Sequence, residues 1–168
     1  TQRCVGFIDG PLVEIARPRG MLQRATNSGH KRRTGLKWQV ISSPDGMLFH
    51  IFGLYEGCNH DMHLYEESGL DDTLRENFLI DGVQHYLFGD SGYALRPYLM
   101  TPFEGANLDA NELLFNKRMS KSRISVEWAF KDIKKYFARI AFPRKIALSK
   151  TPGGALYLAS CLLWNFRC

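Results

Sequence analysis

Four short apolar runs punctuate the first ninety positions, and each meets a turn. Val5 to Ile8 stops at Asp9-Gly10, the pattern of a buried strand closed by a tight turn. LKWQVIS (Leu36 to Ser42) and MLFHIFG (Met47 to Gly53) flank Ser43-Pro44-Asp45-Gly46. Asp-Gly between two apolar runs predicts a hairpin. HYLFGD, His85 to Asp90, reads as a fourth strand ending in Gly-Asp, with Ser91-Gly92 behind it. A further short strand is expected near Tyr98 to Met100, inside an otherwise loop-like stretch. Between the first two runs lies ARPRGMLQRATNSGHKRRTG, polar, basic and rich in turn formers.

Helical signals occupy the gaps and the C-terminal half. Asn59 or Asp61 is placed to cap a helix through HLYEESG, and a second short helix is expected over Asp72 to Asn77. Asp109 with Glu112 three residues on is a capping box opening a helix at about Ala110. That helix is expected to reach about Ile140, with an interruption near Ser120 to Ser122. The run from Ala155 to Phe166 is well short of the about 20 residues that span a bilayer, so it reads as a buried helix or a docking surface. Strands before and after helices predict an α/β fold, a mixed sheet flanked by helices. That order suits a single RNase H-like domain over residues 1–168.

Composition narrows the class without naming a function. An apolar fraction of 45% and a charged fraction of 23% are those of a globular chain with a real core. The net charge of +5 favours a polyanionic partner, nucleic acid above all, and with so short an apolar run no membrane is expected. The four cysteines are scattered without a C-x-x-C pair, which fits a reducing compartment. The chain opens without Met on the strand-like CVGFIDG, and reads as part of a longer protein.

Two carboxylates stand out by position. Asp9 closes the first strand and Asp90 the fourth, each beside a glycine. Sites in open α/β sheets gather at strand ends, so neighbouring strands would bring the two side by side. Such a pair repels itself unless a divalent cation lies between. Glu127, in RISVEWAFKDIKKYF, is either an ordinary helix-surface acid between Arg123 and Lys131 or a third ligand. Three carboxylates holding two Mg²⁺ or Mn²⁺ ions roughly 3.5–4 Å apart are suited to in-line attack on phosphodiesters.

GFIDG, NSGHKRRTGLKWQ, SPDG, LFG…EG…HD, GDSGYALRPYLMTPF and FNKRMSKSRISVEWAF, in that order, resemble the DDE endonuclease domain of Harbinger-type transposases. The resemblance implies that Asp9, Asp90 and Glu127 are the metal ligands, with Asn116 and Arg123 leading into the helix. It matches His60 and Asp61 to the family's auxiliary His-Asp pair. Pro11 and Lys131 depart from the pattern, and Lys131, one turn from Glu127, is placed to compete with metal. By the same resemblance, the N-terminal helical region that such transposases use for DNA recognition is expected to lie outside these 168 residues. The resemblance further implies a nuclear location, a homo-oligomer on DNA and a Myb-like partner protein.

His30, Lys31, Arg32, Arg33 and Lys37 form the densest basic run, either a solvated loop or an arm tracking a phosphate backbone. Lys121 and Arg123, with Lys117, Arg118, Lys131, Lys134 and Lys135, supply a second basic surface around Glu127. A zinc site on His50, His60 and His63 lacks both H-E-x-x-H and a cysteine partner. The leading expectation is a metal-dependent DNA endonuclease with strand transfer. The runner-up is a domesticated, catalytically silent DNA- or protein-binding module.

Overall fold

The computed structural model describes residues 3–29, 32–141, 146–148 and 150–167, with the backbone alone at 125 and 139. Its elements are β1 (Cys4–Asp9), β2 (Leu12–Glu14), α1 (Met21–Thr26), β3 (Asn27–Ser28), β4 (Arg33–Ser42) and β5 (Leu48–Glu56). There follow α2 (Asp61–Glu67), α3 (Leu70–Asn77), β6 (Leu79–Ile80), β7 (Val83–Gln84), β8 (Tyr86–Phe88) and β9 (Leu99–Met100). The chain finishes with α4 (Ala110–Tyr136), α5 (Ala138–Ala141) and α6 (Gly153–Asn165).

β4 is the long strand around which the sheet is laid. The expected hairpin joins it antiparallel to β5, with Val40 opposite Ile51. Its other edge pairs antiparallel with β1, Ile8 opposite Ile41, and further along with β2, Val13 opposite Leu36. β8 then adds parallel to β1, and β9 parallel to β8. The result is a mixed sheet with helices on both faces, consistent with an RNase H-like architecture.

Alternation along β4 decides which helix covers which face. Leu36, Trp38 and Val40 point to one side, where they pack with Ala129 and Ile133 of α4 and Tyr157, Cys161 and Trp164 of α6. Ile41, with Ile8, Leu87 and Leu99, points to the other and meets Tyr65, Leu70 and Leu74 of α2 and α3. Phe7 and Phe88 join Met119 and Val126 of α4 in a third cluster. Leu87 and Leu99 are fully buried, each worth about 1.5–3 kcal/mol on removal from water.

Several boundaries differ from expectation. α4 runs unbroken through Ser120 and Ser122, because Met119 and Val126 on either side pack it against Phe7 and Phe88; the Ser122 hydroxyl donates back to the Arg118 carbonyl at 3.2 Å. It stops at Tyr136 rather than Ile140, and α5 resumes after Phe137. The capping box at Asp109 and Glu112 is formed. Neither Asn59 nor Asp61 caps α2; His60 holds the cap position without a side-chain bond, and Asp61 is the first helical residue. The basic stretch before β4 contains α1 and β3, and β2 precedes it; all three are too short for periodicity to reveal.

Candidate active site

β1 and β8 are parallel neighbours with Phe7 opposite Phe88. Two residues beyond that pair stand Asp9 and Asp90, so the register sets both carboxylates at matched ends of adjacent strands. Alternation from Phe7, which packs on α4, sends Asp9 to the same side. There the Arg123 guanidinium approaches its carboxylate at 3.9 Å. Asp90 accepts the Gly92 amide at 2.9 Å in a tight turn of its own.

Glu127 lies on the exposed side of α4, next to the buried Val126. Arg123, Glu127, Lys131 and Lys134 succeed one another at helical spacing and form a charged stripe. Glu127 and Asp9 line one open cleft of about 450 Å³ with Arg33, Phe130, Lys131 and Lys134. Asp90 falls outside that lining. Among the described residues, no group of three or more His, Cys, Asp or Glu stands close enough to hold a metal ion. The three acids therefore gather at one edge of the sheet without closing on a common point.

Tyr93 reports how closely that edge is populated. Its phenol is held well above the usual range, first by burial, then by the negative fields of Asp61, Asp9 and Asp90, with Arg123 opposing. Asp61 is thus a fourth acid beside the same strand ends. Lys37, on the α2 side of β4, meets it at 3.1 Å and donates to the Asn59 carbonyl at 2.8 Å. A Cβ on Gly10 would stand 1.7 Å from Asp61 Oδ1, so only glycine fits after Asp9. Asp61 Oδ2 lies 3.4 Å from the place a Gly92 Cβ would take. One carboxylate thus touches the turns that follow Asp9 and Asp90.

The remaining expected residues separate. Lys37 is a buried partner of Asp61 rather than an exposed cation of the basic run. Arg32 and Arg33 are exposed, Arg33 pairing with Glu14 at the cleft, while His30 and Lys31 lie outside the described residues. Asn116 ties the loop after β9 to α4, accepting from the Phe103 amide and donating to its carbonyl, both at 2.9 Å. Lys121 is exposed on α4 and His60 at the N-cap of α2. His63 rests edge-on to Tyr55 at 5.8 Å, and His50 stands 3.4 Å from the Gln39 amide nitrogen, so these imidazoles serve separate contacts.

A family model described as DDE superfamily endonuclease matches residues 8–165. The chain belongs to that family. Asp9, Asp90 and Glu127 all lie within the matched span. The chain is also similar to "Protein ALP1-like" of Arabidopsis thaliana, 24% identical over 141 residues. That match covers 78% of this chain and 35% of the relative, so the chain spans about a third of its length. No solved structure matches the chain.

Proposed function

We propose that this DDE-family domain is a divalent-metal-dependent DNA endonuclease of transposase type, with Asp9, Asp90 and Glu127 as its acidic triad. The observation that carries the reading is the β1–β8 register, which sets Asp9 and Asp90 side by side, together with the cleft that Asp9 and Glu127 share. The donor set fits: carboxylate oxygens alone suit hard cations such as Mg²⁺ and Mn²⁺. Two such ions, when bound, supply an activated nucleophile and stabilise the departing oxygen. Asp9 and Asp90 would hold them from the sheet and Glu127 from α4. Lys131, Lys134 and Arg33 at the cleft, with Lys121 nearby on α4, draw the phosphate backbone toward acids that would otherwise repel it. A freed 3′-hydroxyl attacking a second duplex would make the same site a strand-transfer centre. The reading extends to a nuclear location, assembly on DNA as a homo-oligomer and a Myb-like partner.

A second reading has its own support. Arg123 stands 3.9 Å from Asp9, and Lys131 lines the same cleft as Glu127, so cations of the chain itself offset the acids' charge without any metal. A silent module binding DNA or protein would keep that arrangement. Calorimetric titration of Mn²⁺ into the wild type and Asp90→Asn, alone and with a short duplex, separates the two. The endonuclease reading expects binding that Asp90→Asn weakens at least about tenfold, and nicking of plasmid DNA lost in the same variant. Equal or absent binding in both proteins, with and without duplex, leaves the module.

A further inference from the structure

One step round α4 from the Glu127 stripe stand Trp128 and Asp132, four residues apart and therefore on one face. With Pro44, Asp45 and Gly46 of the β4–β5 turn and Trp164 of α6, they line a separate open pocket of about 190 Å³. Three elements distant in sequence meet there. Trp164 is fixed in place, its indole N–H donating to the Gly46 carbonyl at 3.0 Å. Trp128 is 64% exposed, a large indole surface left at the mouth.

The charges around this pocket run against the rest of the molecule. The chain carries a net +5, yet the pocket is lined by two acids, Asp45 and Asp132, and by no Lys, Arg or His among the described residues. Neither acid has an ion-pair partner among the described residues. Asp45 is kept ionised by the Ser43 hydroxyl first and by the Met47 amide, which together hold its carboxyl below the usual range. The neighbouring aromatics already seat a cation. The Arg167 guanidinium lies 3.6 Å from the centre of the Tyr136 ring, and Tyr136 packs on Trp164 at 6.2 Å.

We propose that the Trp128–Trp164 pocket receives the ammonium head of a lysine side chain, methylated or not, presented by a protein partner. An indole face attracts a cation through its quadrupole, and two carboxylates at the rim supply the net charge. The small volume suits a compact ammonium. A nucleic acid is disfavoured, since both acids would repel its phosphates. A metal ion is disfavoured as well, since indole faces offer it no donor. The pocket does not depend on nuclease activity, because none of its residues belongs to the acidic triad.

The test follows the indole N–H resonances of the whole domain during titration with three peptides. These are Gly-Gly-Lys-Gly-Gly blocked at both ends, its trimethyllysine form and its norleucine isostere. The Trp128 signal should shift saturably with both lysine peptides, and each should bind at least about tenfold more tightly than the neutral isostere. Trp128→Ala and Asp132→Asn, both outside the core, should lose that preference while melting close to the wild type. Equal binding of the norleucine peptide, no saturable shift, or a Trp128 signal answering only to a single-stranded oligonucleotide overturns the proposal. Should Trp128→Ala fail to fold, Asp132→Asn decides between the same outcomes.

Discussion

Two acid–base pairs flank the end of β1, and they are built differently. On the α4 side, Asp9 and Arg123 stand 3.9 Å apart at the rim of an open cleft. On the α2 side, Asp61 and Lys37 close to 3.1 Å, and Lys37 is further held by the Asn59 carbonyl. The side chains of the first pair keep 24% and 21% of their surface, those of the second 20% and 10%. Exposure of the two acids is therefore similar, and the distance makes the distinction. Asp61 is fixed under a glycine that admits no side chain, while the Asp9–Arg123 pair is longer and Asp9 opens on the cleft. The first pair suits a working site, the second its footing.

The sharpest way to break this contrast is to remove Lys37. Lys37→Met leaves the Asp61 carboxylate facing an apolar stem and should cost about 2–4 kcal/mol in urea denaturation. Lys37→Met combined with Asp61→Asn should recover a large part of that loss, because the stranded charge has gone. A single variant as stable as the wild type would erase the distinction between the pairs.

Arg123→Gln should change stability by no more than about 1 kcal/mol, since an open pair at 3.9 Å contributes little. Its effect belongs on cation binding. With the guanidinium gone, Mn²⁺ should bind more tightly, by about two- to tenfold, as measured by calorimetry. Weaker binding would assign Arg123 a supporting role at Asp9 instead of a competing one.

The smallest effect concerns His50, which stands beside Gln39 on the Lys37 face of β4. Burial holds its imidazole below the usual pKa of 6.5. The unfolded chain therefore takes up a proton more readily than the folded one as pH falls. Stability should be full above pH 6.5 and decline as pH drops through that value toward the depressed folded one. His50→Gln should flatten that acid-side slope in thermal melts recorded from pH 7.5 to 5.5. A slope unchanged by the substitution would place the responsible group elsewhere.

Elements with long, regular patterns were legible from the residues. The Asp-Gly hairpin, the capping box of α4 and the strand through HYLFGD are local signals, each carried by a handful of neighbours. β2, β3 and α1 escaped because two to six residues are too few for a period, and pairing with β4 is what orders β2 and β3. The expected break at Ser120 to Ser122 did not occur, since Met119 and Val126 pack the helix across it. Asp9 and Asp90 could be named as strand-terminal acids, but only the order of strands made them neighbours. Lys37 looked like one more cation in a basic run. Nothing near it in sequence announces Asp61, 24 residues on, as its partner.

By itself the sequence determined which segments alternate, where turns fall, how α4 begins and that three acids accompany a basic excess. These follow from the chemistry of adjacent residues. The tertiary structure decided which face each charge occupies: Asp9 toward Arg123 and the cleft, Lys37 inward to Asp61, Trp128 and Asp132 into a pocket with Trp164. The physical reason lies in the sheet. A strand turns successive side chains to opposite faces, and helices far along the chain determine whether each face is core, cleft or solvent.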